Sequence, residues 1–181
     1  MSQTRIETVS HKAPRPRILG SAIRTLTLGL ATLATGLVAG VFYAYAVSVN
    51  LGLAAQPDAS YVVTMQAINV AAVTPAFMAA LFGTALACGA LIVSSFLVWG
   101  EPFAGYLLAG GALYLLGTIG PTGVYHVPRN EALAEIEPSS SGAEDHWSRY
   151  LRGWTAWNHL RFAAALGASA MLVIALRVPH V

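Results

Sequence analysis

Trp147, Tyr150, Trp154, Trp157, Asn158 and Arg161 follow one another at helical spacing and run straight into the apolar segment Phe162 to Leu176. At about 100° per residue the six side chains fall within roughly one third of a helix circumference, so one helix carries an aromatic and cationic stripe into hydrophobic territory. Arg161 lies 16 residues before Arg177, which is about 24 Å of helix, whereas the hydrocarbon core of a bilayer is about 30 Å thick. With Arg177 at one edge, Arg161 sits a few ångströms inside the other. A cation there costs roughly 2–3 kcal/mol or more unless it is paired or reaches outward, so it marks a functional site by default. The competing reading is a long side chain one turn below an interface that merely snorkels to headgroups.

The elements that would position this stripe follow from composition. Of 181 residues, 56% are hydrophobic and only 10% are charged, against about 25% charged in a soluble domain. Four segments meet the length of about 20 residues for a spanning helix: Thr25 to Val49, Ala71 to Trp99, Phe103 to Tyr125 and Trp154 to Leu176. The expected fold is all-α, an integral membrane four-helix bundle with a long outer loop and an extended fourth helix. Residues 1–20 read as a disordered basic tail and residues 21–177 as the single domain. The first apolar run exceeds the 7 to 15 residues typical of a signal core and reads as an uncleaved span. A lone cysteine, Cys88, forbids an intrachain disulfide, and a formal charge of +2 argues against a nucleic-acid partner.

Basic residues set the expected orientation. Arg5, Lys12, Arg15, Arg17, Arg24 and Arg177 share one side, against Arg129, Arg149, Arg152 and Arg161 on the other. That balance places the protein in the cytoplasmic membrane with both termini inside. All four spans then show polar ends to the outer face: Tyr43, Tyr45, Ser48 and Asn50; Gln66, Asn69 and Thr74; Thr118, Thr122, Tyr125 and His126; Trp154, Trp157, Asn158, His159 and Arg161. Gly36 and Gly40 form a G-x-x-x-G on span one, and glycines from Gly105 to Gly123 stud span three, both expected to permit close helix contact. Pro75 and Pro121 are expected to kink or unwind their helices on the outer side, freeing carbonyls to line a cavity. Pro128 is expected to stop or redirect the third helix, Glu131 to Glu137 to form a short acidic helical turn, and Glu144 or Asp145 to favour the start of the last helix.

At this point the residues resemble a family. Met65-Gln66-x-Ile68-Asn69, Pro75-x-Phe77, Val127-Pro128-x-Asn130-x-Ala132-Leu133-Ala134 and Trp147-x-x-Tyr150-x-x-x-Trp154-x-x-Trp157-Asn158-x-x-Arg161 are similar to motifs of the anthrone oxygenase-like family of small four-helix membrane proteins. The resemblance covers about Met65 to Leu172 and is weak in span one. The chain departs from the family pattern at His126 and Thr74, where asparagines are expected, and at Arg129, where a leucine is expected.

The resemblance implies oxidation of a polycyclic phenol or anthrone by molecular oxygen in a polyketide-type pathway, without a known organic cofactor. An anthrone ionises to an electron-rich enolate that can itself reduce oxygen, so the protein need supply only a base, a cation and a water-poor aromatic pocket. Arg161, Asn158 and Asn130 would then stabilise the anionic oxygen, and Trp154, Trp157 and Tyr150, with Asn69, would hold the rings. His126 or His159 would serve as base. His126 inherits no role from the family, and His159 projects about 100° or more from the stripe. Partners under this reading are a small hydrophobic aromatic substrate, oxygen and membrane lipid, with a homo-oligomer left open. Copper held by His126 and His159 with Met65 or Glu131 is the minor alternative to no metal, because no H-x-x-H, H-x-x-x-H or C-x-x-C spacing exists. The competing class is non-catalytic: a small membrane protein that binds a lipid or hydrophobic metabolite, or a subunit of a membrane assembly. A transporter fits less well, since four spans show no inverted repeat.

Overall fold

Hydrophobic segments that must satisfy their own backbone in lipid become helices, and the computed structural model, which describes residues 15–56 and 60–179, has no strand among those residues. Four helices are long and apolar enough to cross a membrane: Ala22–Ala54, Pro75–Leu97, Ala104–Ala134 and Ala143–Arg177. The chain is an integral membrane protein with the expected all-helical architecture. Helix α1 (Arg15–Ala44) passes through a π-helical turn, Tyr45–Val49, into α2 (Asn50–Ala54). It begins inside the stretch assigned from sequence to the tail, and residues 1–14 lie outside the described residues. A separate α3 (Ser60–Ala71) precedes α4 (Pro75–Leu97). Helix α5 (Ala104–Tyr114) continues through two π-helical turns, Leu115–Ile119 and Thr122–His126, into α6 (Val127–Ala134), and α7 (Ala143–Arg177) closes the bundle.

Four expectations need correcting. Gln66 and Asn69 do not begin the second span; they lie on α3, because Thr74 and Pro75 start a new helix. The Thr74 hydroxyl accepts from the Phe77 N–H at 3.3 Å, and Pro75, which has no N–H to satisfy, occupies the first turn. Pro75 therefore begins a helix instead of kinking one. Pro128 does not stop the third helix, which runs on to Ala134. It occupies the first turn of α6 directly after a π-helical turn, where its missing N–H is tolerated. Glu131 likewise belongs to α6 and does not start a separate turn reaching Glu137. As expected, α7 is unbroken for 35 residues, with Glu144 and Asp145 in its first turn.

Helix α7 packs between α1 and α5, and α4 completes the ring against α5 and α1. Since lipid tails are as apolar as the side chains, helices in a membrane associate through close packing. Ala165, Ala168 and Ala175 of α7 are buried in the seams, beside Val38 and Phe42 at mid-bundle and Leu28, Leu107 and Leu172 nearer the termini. The glycines divide into two groups. A Cβ on Gly111 would stand 2.7 Å from the Cys88 carbonyl, and one on Gly117 would collide with Ala164. Gly40, by contrast, faces open space, so only Gly36 of the G-x-x-x-G meets a neighbouring helix. Gly111→Ala is therefore expected to destabilise the bundle by about 1–3 kcal/mol, read as a lower thermal midpoint in detergent, while Gly40→Ala leaves that midpoint unchanged.

Candidate functional site

The stripe on α7 turns inward. Trp147, Tyr150, Trp154, Asn158 and Arg161 are all buried, at spacings of three and four residues that keep one face toward the other helices. Trp157 is the exception at 39% exposed. It sits at the margin of the stripe, about 40° from Arg161, where Tyr125 stacks on it at 5.1 Å. Tyr125 can reach this position because Gly153 carries no side chain: a Cβ there would strike the Tyr125 hydroxyl.

A chamber of about 250 Å³ opens beside Arg161 at the loop end of the bundle. Every spanning helix and α3 contribute to it: Phe42 and Tyr45 from the first, Asn69 from α3, Phe77 and Met78 from α4, Thr122, His126 and Asn130 from the third, and Trp154 and Arg161 from α7. This volume lies just under the range of about 300–1,000 Å³ typical of ligand pockets. A compact molecule suits it.

Arg161 is only 5% exposed and has no carboxylate partner among the described residues. Its terminal nitrogens donate to Asn158 Oδ1 at 2.9 Å and Thr122 Oγ1 at 3.3 Å, and its guanidinium carbon lies 4.2 Å from the Phe42 ring centroid and 5.4 Å from that of Trp154. These neutral oxygens and π faces replace part of the lost hydration but leave the charge uncancelled. Nε has no hydrogen-bond partner. The cation is thus held in place and available to an anion.

Asn158 does not line the chamber. Its Nδ2 donates to the Phe42 carbonyl at 2.9 Å while its Oδ1 accepts from Arg161, so it locks α7 to α1 and aims the guanidinium. Asn130 is held differently. Its Oδ1 accepts from the Tyr150 hydroxyl at 2.9 Å and Trp154 Nε1 at 3.1 Å. An indole only donates, so the amide oxygen must face it, and the Asn130 NH2 is left to donate elsewhere. Asn69 Nδ2 reaches the Tyr150 hydroxyl at 3.4 Å. Tyr150 therefore braces the two asparagines without lining the chamber itself.

The two histidines are not brought together. His159 is exposed, with Nδ1 2.8 Å from the Thr155 carbonyl of its own helix. His126 is 2% exposed, and its Nδ1 lies 3.1 Å from the Pro121 carbonyl. A carbonyl can only accept, so this contact favours the tautomer that carries its proton on Nδ1, while Nε2 has no hydrogen-bond partner. The five-residue reach from Pro121 to His126 belongs to the π-helical turn between them. Met65, weighed as a copper ligand, is buried in a separate cluster with Val62 and Trp147. Among the described residues no three His, Cys, Asp or Glu side chains gather as a metal-binding group.

Sequence reasoning missed Phe42, Tyr45, Phe77, Met78 and Thr122 as chamber residues. Thr122 and Tyr45 were legible as polar ends of spans and Phe77 only as part of the Pro75-x-Phe77 motif; Phe42 and Met78 carry no signal in so apolar a chain.

The family model described as Anthrone oxygenase matches residues 74–171, more than half of the chain. The matched stretch contains His126, Asn130, Trp154, Asn158 and Arg161; it begins after α3 and so excludes Phe42, Tyr45 and Asn69. No curated protein and no solved structure matches the chain. Asn130→Ala is expected to leave the Trp154 N–H and the Tyr150 hydroxyl without their shared acceptor, at about 1–3 kcal/mol for each buried group. Denaturant or thermal unfolding in detergent checks this, with Trp157→Phe as the neutral comparison.

Proposed function

The chain belongs to the anthrone oxygenase family, and from that premise we propose that it is a membrane-embedded oxygenase that oxidises an anthrone-like polycyclic phenol with molecular oxygen. The observation that carries this reading is the pairing, at one chamber, of a guanidinium that has no carboxylate partner among the described residues with a buried histidine, His126, whose Nε2 has no hydrogen-bond partner. His126 Nε2 removes a proton from the ring methylene. Arg161 and the Asn130 amide hold the enolate oxygen that results, and an apolar, water-poor site makes those interactions count for more than they would in water. Phe42, Tyr45, Phe77 and Trp154 wall the flat ring system. The enolate carbon then reduces oxygen: one oxygen atom ends as the new carbonyl, and the other leaves as water with the two hydrogens of the former methylene. Both substrates partition into lipid, which suits a site inside the bundle.

Oxygen uptake by membranes containing the chain and supplied with an anthrone tests the reading. His126→Ala is expected to lower the rate by about 10²–10⁴-fold and Arg161→Ala by about 10²–10³-fold, with each variant first shown to remain monodisperse in detergent. Trp157→Phe leaves the rate unchanged. Equal uptake by wild type, Arg161→Ala and empty membranes rejects catalysis on that substrate.

The termini lie on the cytoplasmic side of the cell membrane in this reading, and the chamber lies near the opposite face. A cysteine placed at Ser140 should react with an impermeant thiol reagent in intact cells. Labelling only after lysis reverses the orientation.

A further inference from the structure

A second cavity, of about 240 Å³, lies against the other side of Tyr150, whose hydroxyl bonds to the chamber residue Asn130. Arg129 of α6 and Arg149 of α7 enter its wall together with His146, and Leu133 and Ile136 give it an apolar floor. No Asp or Glu lines it. Among the described residues neither arginine makes an ion pair: Arg149 Nε donates to the Asp145 backbone carbonyl at 3.2 Å, and the Arg129 guanidinium lies 5.2 Å from the Tyr125 ring centroid. Two cations on separate helices thus face one hollow, each with N–H groups to spare.

Depth suggests the occupant. Arg149 and Arg177 are 28 residues apart on one unbroken helix, about 42 Å, against about 30 Å of hydrocarbon and roughly 40–45 Å for a bilayer with its headgroups. With Arg177 at one hydrocarbon edge, Arg149 stands about 12 Å beyond the other, within reach of the headgroup layer. The cavity, with two cations above an apolar floor, therefore lies beside the lipid phosphates. Guanidinium groups suit phosphate oxygens because their planar N–H forks pair with two oxygens at once.

We propose that this cavity binds the phosphate of an anionic phospholipid, held between Arg129 and Arg149, with the glycerol and upper acyl chains over Leu133 and Ile136. The proposal is independent of the oxygenase reading, since neither arginine lines the chamber.

Native mass spectrometry of the full chain in neutral detergent, titrated with phosphatidylglycerol, tests it. The wild-type chain should retain the lipid, and the Arg129→Gln/Arg149→Gln double variant should retain it about tenfold less well. Arg152→Gln, an exposed arginine of α7 outside the cavity, should behave as wild type, and millimolar inorganic phosphate should not displace the lipid. Equal retention by wild type and the double variant overturns the site. Displacement by inorganic phosphate overturns the lipid assignment and leaves a free-anion pocket.

Discussion

A guanidinium without a counter-charge, enclosed among transmembrane helices, is the constraint around which the loop end of this bundle is built. An isolated charge in hydrocarbon is prohibitively costly, and a carboxylate would have been the direct remedy. Here neutral oxygens and aromatic faces from three helices share the task instead. Asn158 ties Arg161 to the Phe42 carbonyl on α1, Thr122 receives it from the third span, and Phe42 and Trp154 offer their rings. Because none of these partners is anionic, the positive charge persists as a field within the chamber. Low dielectric magnifies such a field, and its direction is fixed before any ligand arrives.

The rest of the molecule divides according to that need. Toward the termini, small residues bring the helices into close contact, as at Gly111 against Cys88, and the seams are filled by leucines and alanines. Toward the loops, the first and third spans pass through π-helical turns, and polar side chains bond across elements distant in sequence, such as Asn50 to Thr155 at 2.9 Å and Gln66 to the Leu133 and Ile136 carbonyls. The closely packed half holds the register, and the half with the π-helical turns provides the site.

The four spans could be read directly from hydropathy, because the length needed to cross a bilayer leaves little freedom in an apolar chain. The inward face of α7 was also legible: a cation and an asparagine three residues apart, in an apolar helix, have few tolerable orientations. Trp157 was misplaced because a stripe about 100° wide has a margin, and only the neighbour across it, Tyr125 beside Gly153, decides on which side that margin falls. Asn69 was assigned to the wrong helix since the break at Thr74 and Pro75 reads equally well as a kink. Phe42, Phe77 and Met78 were invisible as chamber walls for a simpler reason. Where more than half of all residues are apolar, composition cannot distinguish a side chain that faces a cavity from one that faces lipid.

The paired π-helical turns on either side of Pro121 carry one further implication. Each wide turn accommodates an extra residue relative to regular α-helix, and one residue of offset swings every later side chain by about 100° around the axis. Which group occupies the position of His126 is therefore governed by chain length between Tyr114 and Val127 as much as by residue identity. A single insertion or deletion in this stretch would re-index the interior, exchanging the group presented there for its neighbour while the helix stayed intact. Diversification of such a scaffold thus has a route that substitution-by-substitution comparison would overlook.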